Sequence, residues 1–142
     1  MTKTPKQIII VAVTAVAAII GTWIGIYLFR GNNDFDTELM AAASELNKQC
    51  PMMVDKDTRL DNAMGGPGKV FTYNYTLINH SLAQLNIPDL QAYLRPRLIA
   101  NAESSADMKS FRDNSVTLVY RYNDKDNKSA FEVRITPEEY VH

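Results

Sequence analysis

Apolar positions follow one another along this chain with three spacings: a continuous run first, then two periodic patterns. Residues 8–29 are 22 positions without a charged side chain. After them, Phe35, Leu39, Ala42, Ala43, Leu46 and Cys50 recur at helical spacing and predict an amphipathic helix stopped by Pro51. Asp34 or Asp36 is placed to cap it, and Asp36 and Glu38 suit the positive end of its dipole. Residues 58–64 are less regular and predict a first strand with Leu60 and Met64 inward. Gly65, Gly66, Pro67 and Gly68 mark a turn. In residues 70–79, Phe71, Tyr73, Tyr75 and Leu77 alternate with Thr72, Asn74 and Thr76, the period of a strand with one buried face.

Helical spacing then returns. Pro88 fits the first turn of a second helix with Leu90, Leu94 and Leu98 as its stripe, joined by Tyr93 and Ala102. Pro96 predicts a kink or an interruption. Met108 and Phe111 predict a short further turn. Residues 115–123 and 130–136 alternate again, with Val116, Leu118, Tyr120 and Tyr122 on one face of the first and Phe131, Val133 and Ile135 on one face of the second. The expected fold is α+β: an N-terminal transmembrane helix, then a small domain in the order α-β-β-α-β-β. Tight loops join the strands in pairs, so an antiparallel sheet with two helices on one face is expected.

The first segment carries most of the functional information. At about 1.5 Å per residue, 22 helical residues span roughly 33 Å, against a bilayer hydrocarbon core of about 30 Å. Trp23, Tyr27 and Phe29 sit at its end, where aromatic rings favour the interface. That end lacks the small residues of a signal cleavage site, and the run is longer than a signal core. An uncleaved anchor is expected, dividing the chain into an N-terminus (1–7), a span (8–29), a joint (30–34) and a domain (35–142). Lys3 and Lys6 before the span, against Arg30 and acids after it, favour a cytoplasmic N-terminus and a periplasmic domain. Ala17, Gly21 and Gly25 share one helix face. They offer a packing surface for a second copy or a partner helix, although small residues are also common in membrane helices.

Composition mostly excludes. A formal charge of −1 from 15 basic and 16 acidic residues argues against a nucleic-acid binder. The single cysteine, Cys50, forms no internal disulfide; a small buried residue at a helix end is favoured over a link between chains. His80 and His142 stand in no metal-binding frame, so no metal and no cofactor are expected. The acidic stretches 55–61 and 124–128 fail the calcium-loop pattern and read as solvated turns. No activated nucleophile is framed, and no catalytic residue is assigned. Tyr73, Tyr75, Tyr120 and Tyr122 are the most suggestive surface candidates, as a patch for a protein or peptide; core packing under the helices is the favoured alternative.

Residues 46–79 (LNKQCPMMVDKDTRLDNAMGGPGKVFTYNYTLIN) and 111–140 (FRDNSVTLVYRYNDKDNKSAFEVRITPEEY) resemble parts of small exported or membrane-anchored bacterial proteins of uncharacterised function. The resemblance implies a bacterial envelope protein and transfers no functional residue. The leading expectation is a non-enzymatic inner-membrane protein whose periplasmic domain binds a partner protein. A small-molecule or envelope-stress sensor, with its ligand beneath Leu90 and Leu94, comes second. A membrane-surface enzyme comes last.

Overall fold

A computed structural model describes residues 35–142 of the chain. The expected anchor, residues 8–29, with Ala17, Gly21 and Gly25, lies outside the described residues. Among the described residues no helix is long and apolar enough to cross a membrane.

The elements are α1 (Phe35–Asn47), β1 (Met52–Met53), β2 (Thr58–Gly65), β3 (Val70–Leu77), α2 (Ile87–Ser104), α3 (Lys109–Asp113), β4 (Thr117–Asn123), β5 (Ser129–Ile135) and α4 (Pro137–Tyr140). Single 3-10 turns lie at Leu82–Gln84 and Ala106–Met108. The fold is α+β, with every expected strand and helix of the domain present. Among the described residues the count is corrected to five strands and four helices, because β1 and α4 are too short to show a period and the short turn expected at Met108 and Phe111 forms α3. The sheet order is β1-β2-β3-β4-β5.

The expectation of an antiparallel sheet is corrected at its centre. β3 and β4 run parallel, with Tyr73 beside Tyr120 and Tyr75 beside Tyr122, while the other three pairs are antiparallel. Local alternation identifies the two hairpins. The α2 crossover carries the chain back to the end where β3 began, and that makes the second hairpin enter parallel to the first.

α1 lies chiefly against β2 and α2 against β5, and their leucines share one buried cluster with Phe71, Tyr73, Tyr120 and Val133. Pro96 does not interrupt α2. It sits on the exposed side, where the missing N–H costs only the helical partner of the Ala92 carbonyl. Leu60 is buried as expected, but Met64 is exposed. An irregularity in the β2–β3 register between Leu60 and Asn62 shifts the alternation, so Ala63 turns inward instead. At Gly65 an added Cβ would lie 2.3 Å from the Leu39 carbonyl carbon and oxygen, so α1 presses its backbone directly on the strand. Asp36 then reaches beyond its helix. Its carboxylate accepts from the backbone N–H of Gly68 at 2.9 Å and Lys69 at 2.7 Å, fastening the hairpin turn.

Candidate functional site

A sheet exposes unpaired backbone groups along its outer strands, so the two edges are where this fold must either close itself or receive something. The β2 edge closes itself. β1 pairs with Arg59 and Leu60. Farther along, the Asn47 side chain at the end of α1 accepts from the Ala63 N–H at 2.7 Å and donates to the Ala63 carbonyl at 2.9 Å. One amide thus imitates a neighbouring strand. Gly65, under α1, completes the cover.

The β5 edge is closed by halves. From α2, the Gln91 amide donates to the Glu132 carbonyl at 3.2 Å and the Arg95 guanidinium to the Arg134 carbonyl at 3.0 Å. These carbonyls therefore point away from β4, and strand geometry sends the N–H groups of the same residues the same way. The Thr136 N–H, next in that row, is taken by the Glu139 carboxylate at 2.8 Å. This bond, followed by the Arg95 guanidinium, holds the Glu139 carboxyl below its ordinary range. No side-chain acceptor among the described residues meets the N–H of Glu132 or Arg134. Beside them lies a cleft of about 290 Å³ lined by Gln91, Ala92, Arg95, Glu132 and Val133. Its lining brings together the Glu132 N–H, the Gln91 amide and the Arg95 guanidinium as donors beside the Glu132 carboxylate, and the Arg134 N–H lies next along the row. Arg95 also pairs with Glu139, and Glu132 with Arg121 and Arg134.

Burial removes the tyrosines as a surface patch and leaves the favoured alternative, core packing. Tyr73, Tyr75, Tyr120 and Tyr122 are each at most 3% exposed. They form a ladder down the centre of the sheet, with Tyr73 and Tyr120 rings stacked at 5.1 Å and Tyr75 and Tyr122 at 5.0 Å. Parallel pairing of β3 and β4 puts all four on the inner face, under the helices. Desolvation raises all four hydroxyls well above the ordinary phenol range, and the Tyr120 and Tyr122 hydroxyls have no hydrogen-bond partner among the described residues.

Of the two acidic stretches expected as solvated turns, 124–128 is a turn and 55–61 is a turn that runs on into β2, and Asp57 and Asp124 within them are buried. Asp124 is 1% exposed and accepts from Asp126, Lys128 and Leu82 N–H groups at 2.9 to 3.0 Å. These bonds, that of Lys128 first, lower its carboxyl below the ordinary range. Asp55 caps its own turn by accepting from the Asp57 and Thr58 N–H groups. His80, also buried, brings Nε2 to 3.7 Å from Asp57 Oδ1, while its backbone carbonyl accepts from Lys125 N–H. Asn79 bonds the same Asp57 carboxylate at 2.8 Å. This group ties three loops together at one end of the sheet. Among the described residues no set of three His, Cys, Asp or Glu side chains is gathered for a metal ion. Cys50 is unpaired and half-buried, its thiol raised by desolvation and then by Asp61.

Asn47, Gln91 and Arg95 went unrecognised in the sequence. Their only signal was position. Gln91 and Arg95 stand four apart on α2, each one residue beyond an inward leucine, which also describes an ordinary wet helix flank.

The profile of a domain of unknown function, DUF8479, matches residues 34–131. No curated protein sequence matches the chain. Three solved structures share the fold. PA3611 of Pseudomonas aeruginosa, a candidate secreted protein, is 14% identical with a TM-score of 0.55, covering 77% of this chain and 98% of that one. EpsS, the pilotin of the Vibrio vulnificus type 2 secretion system, is 6% identical with a TM-score of 0.57, covering 75% and 92%. AspS, the type II secretion pilotin of Vibrio cholerae, is 12% identical with a TM-score of 0.52, covering 73% and 90%.

Proposed function

Because the chain belongs to the DUF8479 family, whose description assigns no activity, we propose from its own geometry that it is a non-enzymatic binding domain that holds a partner protein at a bacterial membrane. The observation that carries this reading is the β5 edge, where two outward N–H groups lie beside a cleft between strand and helix. Strand edges next to helices are a recurring protein-recognition surface. The fold shared with two secretion-system pilotins supports a role in an envelope assembly.

In this proposal residues 8–29 anchor the chain in the inner membrane, N-terminus inside, with the domain in the periplasm. α1 starts six residues beyond that span, so the domain works close to the bilayer. A second copy through Ala17, Gly21 and Gly25 belongs to the same proposal for the anchor. The sensor reading gains nothing from the structure: Leu90 and Leu94 are fully buried in the core cluster, and other residues line the described clefts.

Affinity capture of the full chain from detergent-solubilised native membranes is expected to recover a second protein in constant ratio. Recovery of the chain alone at every expression level contradicts the proposal. A periplasm-active reporter fused after His142 is expected to be active, and a cytoplasmic signal removes the periplasmic placement.

A further inference from the structure

Building on the proposed partner binding and resting on it, we infer that the cleft between α2 and β5 takes an extended segment of the partner that adds as a sixth strand beside β5 and presents an acidic side chain to Arg95.

Three observations converge. The first is the row of edge groups. Glu132 and Arg134 direct both backbone groups outward, and their carbonyls are held only by the tips of two flexible side chains. An incoming strand supplies N–H donors to those carbonyls and carbonyl acceptors to the two N–H groups, pairing the row completely. Gln91 and Arg95 swing aside, since they end in rotatable side chains rather than in packed backbone. The β2 edge offers no such exchange, because Asn47 already meets both groups of Ala63.

The second observation is the wall of the cleft. Ala92, whose carbonyl has lost its helical donor to Pro96, stands between Gln91 and Arg95 and contributes only a methyl group. A bulkier side chain there would occupy the space of the added strand. The third is charge. The groups freed by strand addition are donors, and the guanidinium of Arg95 is the strongest. Among the described residues its one carboxylate partner is Glu139, and the other acid at this edge, Glu132, is shared by Arg121 and Arg134, so the arginines here outnumber the carboxylates. A carboxylate on the incoming segment makes a charge-assisted bond there. The complementarity selects an acidic extended segment over a basic one.

The test uses the full chain in detergent micelles and a capped Thr-Val-Asp-Val-Thr peptide, with Thr-Val-Asn-Val-Thr as control. Backbone amide signals and amide exchange are followed by NMR. Expected are shifts and slowed exchange at Glu132 and Arg134 with little change at Phe131 and Val133, whose amides face β4. The dissociation constant should be on the order of 1 mM, since a short flexible peptide loses much of its gain to ordering. Affinity should fall about tenfold with the Asn peptide or in Arg95→Gln, and binding should vanish in Ala92→Phe, both substitutions being at exposed positions.

The inference is overturned if Glu132 and Arg134 do not respond at the peptide's solubility limit, or if the Asp and Asn peptides bind alike. It is equally overturned if both amides are already protected in the free chain. Protection that grows with protein concentration then identifies a second copy as the occupant, and protection that does not identifies the chain's own residues 1–34. A partner captured from membranes while the edge stays silent defeats only the groove. A responsive edge with no partner recovered defeats the broader reading.

Discussion

At one edge of the sheet Asn47 meets both the N–H and the carbonyl of Ala63; at the other, Gln91 and Arg95 meet the carbonyls of Glu132 and Arg134 and leave their N–H groups outward. Both edges are guarded by helices, and both guards are polar side chains from the helix lying over that edge. The difference is in reach and firmness. Asn47 is short, sits at the end of α1 and makes a two-point contact. Gln91 and Arg95 are long, make one backbone contact each and stand beside a cleft. An edge held at two points behaves like an interior strand. An edge held by side-chain tips is open to exchange, which suits the proposed binding role.

The largest effect should come from breaking the firm edge at its tightest contact. Gly65→Val places a side chain into the α1 backbone, where an added Cβ has only 2.3 Å. It should cost about 3 kcal/mol or more, read as a drop in chemical-denaturation midpoint. Asn47→Leu should cost about 1.5 kcal/mol, because Ala63 is buried and its backbone groups would lose their partners. If Asn47→Leu is silent, the two edges do not differ as described.

Acid sharpens the comparison because each edge has a carboxylate clasp. Asp36 is lowered by its bonds to the Gly68 and Lys69 N–H groups, and Glu139 by its bond to Thr136 N–H and by Arg95. A carboxyl whose folded pKa is depressed stabilises the fold above its ordinary value, and this contribution is lost as pH falls through the folded value. Stability should therefore decline below about pH 4.5. Asp36→Asn and Glu139→Gln should each flatten part of that decline in a pH series of denaturation midpoints. The smallest effect belongs to Gln91→Ala, expected at about 0.5 kcal/mol, since its exposed amide exchanges a protein carbonyl for water.

Much of this fold was legible from period alone. Alternation located β3, β4 and β5, and the leucine stripes located α1 and α2. What escaped has identifiable physical causes. β1 has two residues and no period. The register irregularity near Asp61 reverses the inward face of β2, so Met64 is exposed where strict alternation buries it. The parallel β3–β4 pair comes from a crossover, a non-local fact that no short window carries. The tyrosines showed their shared face correctly, but period two cannot say whether that face is covered; two helices settle it in favour of the core. The edge guards escaped for a related reason. Asn47, Gln91 and Arg95 look like ordinary helix surface until the strand beside them is known.

Native-state amide exchange on the uncomplexed full chain compares the two edges in one experiment. The Ala63 amide, held by Asn47, should exchange slowly, near the rate of the sheet interior. The Glu132 and Arg134 amides should exchange at least about a hundredfold faster, while Phe131 and Val133, which alternate with them and face β4, stay protected. Equal protection of Ala63, Glu132 and Arg134 would contradict the account.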